Sequence, residues 1–221
     1  MTMRFARRTG VVGLAVAGLL FAGIGSAQAL PEEGLASGTS GSVDATRNGV
    51  AVQAGPLAVC DSQGPATGTS AAVLKSGFFE FGPSRSTCTV SATTGVATAV
   101  VHGDLFRLDA LRSLGGPRIR LFDYNVTCST TANGSSASWQ VGGLSGITVP
   151  PQIPPNHVVM VPGRTSGAPP MAKVTMNETI VPDPPDGSMT VNIMHIELYP
   201  EGGNSNLSGH IVVGSASCSP Y

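Results

Sequence analysis

Glycine and proline occur so often along this chain that long regular elements are disfavoured. The 221 residues include 29 Gly and 17 Pro, and turn residues at this density limit strands to short lengths. Between the turns Val and Thr are frequent, and their β-branched side chains favour pleated, half-buried surfaces. Few segments have the Leu, Glu, Lys and Arg content of a surface helix. We therefore predict an all-β fold, an antiparallel β-sandwich or, alternatively, a partly closed β-barrel.

The stretch "RIRLFDYNVTCSTTA" is the clearest strand. Ile119 and Leu121 follow one alternation and Tyr124 follows the other, so the apolar face slips once, as at a β-bulge. A second strand is "SSASWQVGGL", in which Trp139 shares one face with the apolar residues two positions on either side. Of the aromatic residues, Trp139 is predicted to lie in the core, with exposure on a sandwich face as the alternative.

The secondary structure of other segments is predicted from their turn residues. Asn48-Gly49 favours a tight hairpin turn, because both residues tolerate positive φ. Five prolines within residues 149–163 indicate an extended connector around a short strand at His157–Val161. Residues 71–81 fit either a strand or a short helix, and Leu105, Leu108 and Leu111 fit either helical spacing or a strand and its turn.

The first 29 residues have the pattern of a cleaved signal peptide. The start is basic (Arg4, Arg7 and Arg8), the middle is apolar, and Ala27-Gln28-Ala29 is a small-x-small cleavage site. The paired arginines leave the twin-arginine route open beside general secretion. We expect residues 30–41 to be a flexible lead-in and residues 42–221 to be a single β-sandwich domain.

No attachment signal is recognised after the signal peptide. A bacterial lipoprotein needs a cysteine at its cleavage site, whereas the first cysteine is Cys60, and no apolar tail with trailing Lys or Arg follows Cys218. We therefore expect a secreted, extracellular protein, with loose cell-wall association as the alternative and no membrane span after signal cleavage. Without residues 1–29, nine basic residues face 13 acidic ones, which argues against a nucleic-acid partner.

Four cysteines in an exported chain indicate two disulfides, and three pairings are possible. No two of them have the C-x-x-C spacing of a zinc knuckle or a thioredoxin-like site. Among the possible pairings we favour Cys60–Cys88 with Cys128–Cys218. Disulfides suit a chain with one Trp, three Tyr and seven Phe from which to build a core.

The second half of the chain resembles the secreted choice-of-anchor P proteins. The resemblance rests on five segments in this order: "VTCSTTANGSSASWQVGGL", "PPNHVVMVPG", "AKVTMNET", "GSMTVNIMHIEL" and "HIVVGSASC". It is close over about residues 90–218 and looser over 36–89. It implies an exported domain that different members attach to the cell surface by different C-terminal signals. It also supports Cys128–Cys218 and implies no catalytic residue.

The titratable residues do not predict an enzyme, a metal site or a cofactor. The four histidines, His102, His157, His195 and His210, show neither the H-x-H nor the H-E-x-x-H spacing. Metal ligands in a β domain come from different strands, so spacing alone does not reveal them. His195 alternates with Val191 and Ile193, which makes that strand face mixed. We assign no catalytic residue and no metal ligand.

The favoured function is therefore a non-enzymatic structural or adhesive domain of the bacterial cell surface or its surroundings. Its expected partners are cell-wall or extracellular glycans or proteins. A glycan-binding module is the first alternative, with Trp139, Tyr124 and Tyr199 as candidate ligand-binding aromatics. A secreted hydrolase or a hydrolase inhibitor is the second alternative, with residues 149–163 as a rigid binding loop. The sequence predicts no oligomeric state.

Overall fold

The computed structural model describes residues 33–202 and 206–220, and these belong to one compact unit. The predicted signal peptide, residues 1–29, lies outside the described residues. None of the described residues forms a helix long and apolar enough to cross a membrane. The elements are β1 (Leu35–Arg47), β2 (Val50–Leu57), β3 (Cys60–Asp61), β4 (Thr67–Ser70), β5 (Val73–Lys75), β6 (Phe79–Phe81), β7 (Ser84–Val90), β8 (Ala97–Leu108), a 3-10 helix (Arg112–Leu114), β9 (Ile119–Thr131), β10 (Gly134–Ser145), β11 (His157–Val161), β12 (Ala172–Ile180), β13 (Met189–Leu198) and β14 (Leu207–Ser219).

The strands form two antiparallel sheets. Sheet A has the order β11-β12-β13-β14-β1-β2, with β3 paired to β1. Sheet B has the order β10-β9-β8-β6-β5, with β7 also paired to β8, and β4 paired to β7. Buried residues of both sheets belong to a single hydrophobic core. The predicted antiparallel sandwich is confirmed, and the partly closed alternative is not adopted.

Both predicted disulfides form, and each joins one sheet to the other. Cys60 on β3 of sheet A bonds to Cys88 on β7 of sheet B. Cys128 on β9 of sheet B bonds to Cys218 on β14 of sheet A. All four side chains are almost completely buried, so the covalent links run through the core.

Each sheet contains a transverse row where the in–out alternation of its strands changes phase. On β14 the buried residues are Ile211 and Val213 before the change and Ala216 and Cys218 after it. The pairing register is the same on both sides of the change. Row A, in sheet A, consists of Asn177, Ile193, Gly214 and Ser40; row B, in sheet B, consists of Gly142, Asp123 and Asp104.

The slip predicted within β9 is therefore confirmed, but its cause is not a bulge. A bulge places two residues opposite one, whereas β8, β9 and β10 each have one unpaired residue at row B. Asp123 adopts a φ of 42°, and in row A Asn177 and Gly214 adopt φ values of 50° and 60°. Neighbouring strands change phase together, so β8, β9 and β10 keep the same register on both sides of row B.

Tyr124 joins the two rows through the core. Its hydroxyl donates a 2.9 Å hydrogen bond to the carbonyl oxygen of Ser40 in row A, and its ring is completely buried. A Cβ added to Gly103 would collide with this ring, and one added to Gly214 would lie 3.2 Å from it. Glycine at these positions therefore makes room for the tyrosine.

Several local predictions are settled by the strands. Asn48 and Gly49 both have positive φ and connect β1 to β2 as a hairpin, and β11 occupies His157–Val161. Residues 71–81 form β5 and β6 with a turn between them, and 105–108 belong to β8 rather than to a helix.

The expectation of a flexible lead-in over residues 30–41 is wrong from Leu35 onward. Strand β1 starts there and lies inside sheet A, between β14 and β2. The small residues reflect close packing rather than freedom, because a Cβ added to Gly38 would lie 2.6 Å from the Val101 side chain.

Candidate functional site

The three aromatic side chains predicted to bind a ligand do not form one exposed site. Tyr124 is completely buried, and its burial raises the pKa of its hydroxyl, so its selection as an exposed ligand-binding residue is wrong. Trp139 on β10 and Tyr199 after β13 are partly buried and pack against the core. Trp139 lies on a strand of sheet B, whereas Tyr199 follows a strand of sheet A.

The most organised polar cluster lies on the outer face of sheet A, beside row A. We name it cluster A, and it consists of Glu178 on β12, Asn192 and His195 on β13, and His210 on β14. Glu178 accepts hydrogen bonds from Asn192 Nδ2 at 2.6 Å and from His195 Nδ1 at 2.8 Å. His195 Nε2 lies 3.2 Å from His210 Nδ1.

Row A is what brings Asn192 and His195 to the same carboxylate. Side chains three positions apart on a regular strand point to opposite faces. The phase change at Ile193 reverses this, so Asn192 and His195 both reach Glu178. Ile193 itself stays in the core. Cluster A is therefore a product of the irregular row.

Glu178 is held in its ionised form. Burial alone would raise its pKa, but the hydrogen bonds from His195 and Asn192, together with attraction to His195 and to Lys173, outweigh burial and lower the pKa below its usual value. Nδ1 of His195 faces this carboxylate as a proton donor; in the neutral ring with its proton on Nδ1, Nε2 carries the lone pair, and Nε2 faces His210.

A second histidine cluster, cluster B, lies on the outer face of sheet B beside row B. His102 Nε2 is 3.0 Å from Asp123 Oδ1, and His102 Nδ1 is 3.6 Å from Asp104 Oδ1. The two carboxylate side chains are 74% and 57% exposed. Cluster B is therefore a solvated contact between a histidine and two carboxylates, a type that contributes little to stability even when it is charged.

A shallow groove of about 440 Å³ lies at one end of sheet A. Pro182, which follows β12, forms part of its wall, and hydroxyl side chains such as Ser37, Thr190 and Ser217 line it. Its acid, Asp61, accepts a hydrogen bond from the backbone N–H of Gln63 at 2.7 Å. The groove presents hydroxyls and apolar walls.

Strand β10 forms one edge of sheet B and differs from the other edge strands. It is 12 residues long and contains neither a charged residue nor a proline. Among the described residues its backbone pairs only with β9. By contrast, β5, β4 and β11 have three, four and five residues, and β2 contains Pro56 at an irregular register.

Sequence reasoning missed cluster A and the open edge of β10. His195 and His210 are 15 residues apart and meet only through the β13–β14 register. In the described part of the chain, no group of three or more His, Cys, Asp or Glu side chains is placed to hold a metal ion. The edge could have been suspected from the absence of charge in "GSSASWQVGGLS", but strand order is not visible in a sequence.

Comparison with known proteins does not supply a family. No protein-family model, no curated protein and no solved structure matches this chain. The resemblance to choice-of-anchor P proteins therefore stays a prediction.

Proposed function

We propose that this protein is an exported, non-enzymatic structural domain that assembles outside the cell through the free edge of β10. The observation that carries the proposal is the length and lack of charge of that edge. Unpaired N–H and C=O groups on an edge strand are a template for another strand. In natural proteins, short length, proline, bulges or charge prevent an edge strand from pairing with another chain. Strand β10 has none of these features.

The partner that fits this edge is a second copy of the same chain. Two identical strands can pair antiparallel about a two-fold axis, and the absence of charged residues in β10 removes repulsion between copies. Its exposed side chains include Ser136, Ser138 and Gln140, which are small or uncharged. Paired copies would continue sheet B from one molecule into the next.

Three further observations support a role outside the cell. Both disulfides join the sheets, and such bonds persist in oxidising compartments. The signal-like start and the resemblance to choice-of-anchor P proteins support export. A domain whose sheets are covalently fastened suits a load-bearing or adhesive component of the cell surface or its surroundings.

The proposal is tested by placing a charge on the edge. We expect the unmodified protein to self-associate as its concentration rises, measured by analytical ultracentrifugation. Ser138→Lys should weaken this association severalfold, because lysine guards an edge and like charges would face each other. Thr127→Lys is the matched control, since Thr127 is the cross-strand partner of Ser138 but lies on the central strand β9.

Two results would overturn assembly through β10. The first is a monomer at every concentration, and the second is an equal effect of both lysine variants. If the protein is instead retained on insoluble cell wall, chitin or cellulose, and Trp139→Ala abolishes retention without unfolding, glycan binding would replace the structural proposal. The burial of Tyr124 leaves Trp139 and Tyr199 as the aromatics for that alternative.

A further inference from the structure

We propose that His195 and His210 form a binding site for a divalent transition-metal ion, with water completing the coordination. The proposal goes beyond the structural role of the domain and does not depend on it. It rests on the geometry of cluster A, in which two imidazole nitrogens from neighbouring strands face each other.

The separation of the two nitrogens matches joint coordination. His195 Nε2 and His210 Nδ1 are 3.2 Å apart. Metal–imidazole bonds of about 2.0–2.1 Å place two ligand nitrogens about 3.4 Å apart at a tetrahedral centre and about 2.9 Å apart at adjacent octahedral positions. The observed distance lies between these values, so the two nitrogens can bind one ion once side-chain rotation directs both lone pairs at it.

The surroundings of His195 orient its ring as a carboxylate commonly orients a histidine at a metal site. A metal-bound histidine usually donates its other ring N–H to a carboxylate, which fixes the tautomer and the ring direction. His195 Nδ1 has this partner in Glu178 at 2.8 Å, and Asn192 holds the same carboxylate from its other oxygen at 2.6 Å. In the neutral ring with its proton on Nδ1, the lone pair of Nε2 is thereby directed at His210.

The second ligand is accessible and lies in an acidic setting. His210 is exposed, so an ion can reach it from solvent. Its cross-strand neighbours are Glu197 on β13 and Asp44 on β1, and Lys173 balances Glu197 across a 3.5 Å ion pair. The negative charge of Asp44, which Lys173 does not balance, favours the binding of a cation. Two protein ligands leave open positions for water, and among the residues that the structure describes no group of three or more His, Cys, Asp or Glu side chains is placed to hold an ion.

The test is a calorimetric titration of the disulfide-intact protein, purified without a polyhistidine tag, with Cu²⁺ and Ni²⁺ salts. Imidazole sites prefer Cu²⁺ among the divalent first-row ions, so we expect one ion per chain and tighter binding of Cu²⁺ than of Ni²⁺. His195→Asn and His210→Asn should each lower the affinity at least about tenfold. Glu178→Gln should lower it about 10- to 100-fold through loss of orientation.

His102→Asn and His157→Asn are the matched controls and should leave the affinity unchanged, because neither residue lies in cluster A. Circular dichroism verifies that each variant is folded. A second measurement uses Ni²⁺ broadening of imidazole NMR signals, which should affect His195 and His210 alone. The proposal is overturned if the affinity is the same in His210→Asn as in the unmodified protein, or if His102 is broadened first. Either result would mean that the two rings share only a hydrogen bond.

Discussion

Clusters A and B occupy similar places in the two sheets, yet they are built differently. Each is centred on a histidine on the outer face, beside a row where the alternation changes phase. In cluster A the histidine lies between a half-enclosed carboxylate and a second histidine. In cluster B it faces two largely exposed aspartates. The same backbone irregularity therefore yields an oriented pair of nitrogens in one sheet and a solvent-exposed histidine–aspartate contact in the other.

The difference shows how the side chains determine what forms beside a phase change that both sheets share. In row A the unpaired β13 residue is the core residue Ile193, and the polar residues Asn192 and His195 lie on either side of it on the outer face. In row B the unpaired β8 and β9 residues are themselves the aspartates, Asp104 and Asp123. Acids placed on the row project into water, whereas acids beside it can be enclosed by neighbours.

The largest expected effect on stability comes from removing the disulfides that join the two sheets. Replacing Cys128 and Cys218 with Ala opens a link that spans 90 residues, which costs about 4.5 kcal/mol in the chain-entropy model. The Cys60–Cys88 link spans 28 residues, and its removal costs about 3.5 kcal/mol in the same model. Urea denaturation under non-reducing conditions measures both losses. A larger loss from the shorter link would contradict the entropic explanation.

The next effect comes from Tyr124, which joins row A to row B. Tyr124→Ala should lower the free energy of unfolding by about 3–5 kcal/mol, because a large buried ring is lost. Tyr124→Phe should cost about 1–3 kcal/mol, since it keeps the ring but leaves the Ser40 carbonyl unsatisfied.

Denaturation curves give these costs, and NMR shifts of His102 and His195 report on the rows. We expect Tyr124→Ala to move both histidine signals. Movement of only one signal would mean that the rows are independent.

The smallest effect is a difference in pH dependence between the clusters. The folded-state pKa of Glu178 is lowered, so its contribution to stability is fully present above the unfolded glutamate pKa of about 4.3 and is lost as the pH falls through the folded value. The stability gap between the unmodified protein and Glu178→Gln should therefore be constant near neutral pH and shrink in acid.

Asp123→Asn is the counterpart in cluster B. Because Asp123 is 74% exposed, the substitution should change stability by about 0.5 kcal/mol or less. Denaturant unfolding between pH 7 and pH 3 measures both variants. A gap for Glu178→Gln that widens as the pH falls would show that the lowered pKa is not what Glu178 contributes.

Local signals in the sequence predicted much of the fold. Turn residues and β-branched segments indicated the sandwich, Asn48-Gly49 indicated its hairpin, and the slip around Tyr124 was visible as a change of alternation. Residues 30–41 were expected to be flexible because small residues are common in flexible segments. In β1 they permit close contact with the opposite sheet.

Turn residues and alternation along the chain did not predict the candidate sites. His195 was assigned to a mixed face with Val191 and Ile193, because a regular strand puts alternate residues together. The phase change at row A splits that apparent face, leaving Val191 and Ile193 in the core and His195 outside.

The sequence alone therefore determined the class of fold, because alternation and turn chemistry are properties of neighbouring residues. Only the tertiary structure decided which strand lies at an edge and which histidines meet. Strand order, cross-strand register and a phase change shared by several strands arise from packing between segments far apart in the chain. The nitrogen pair of His195 and His210 exists because all three coincide at one place on sheet A.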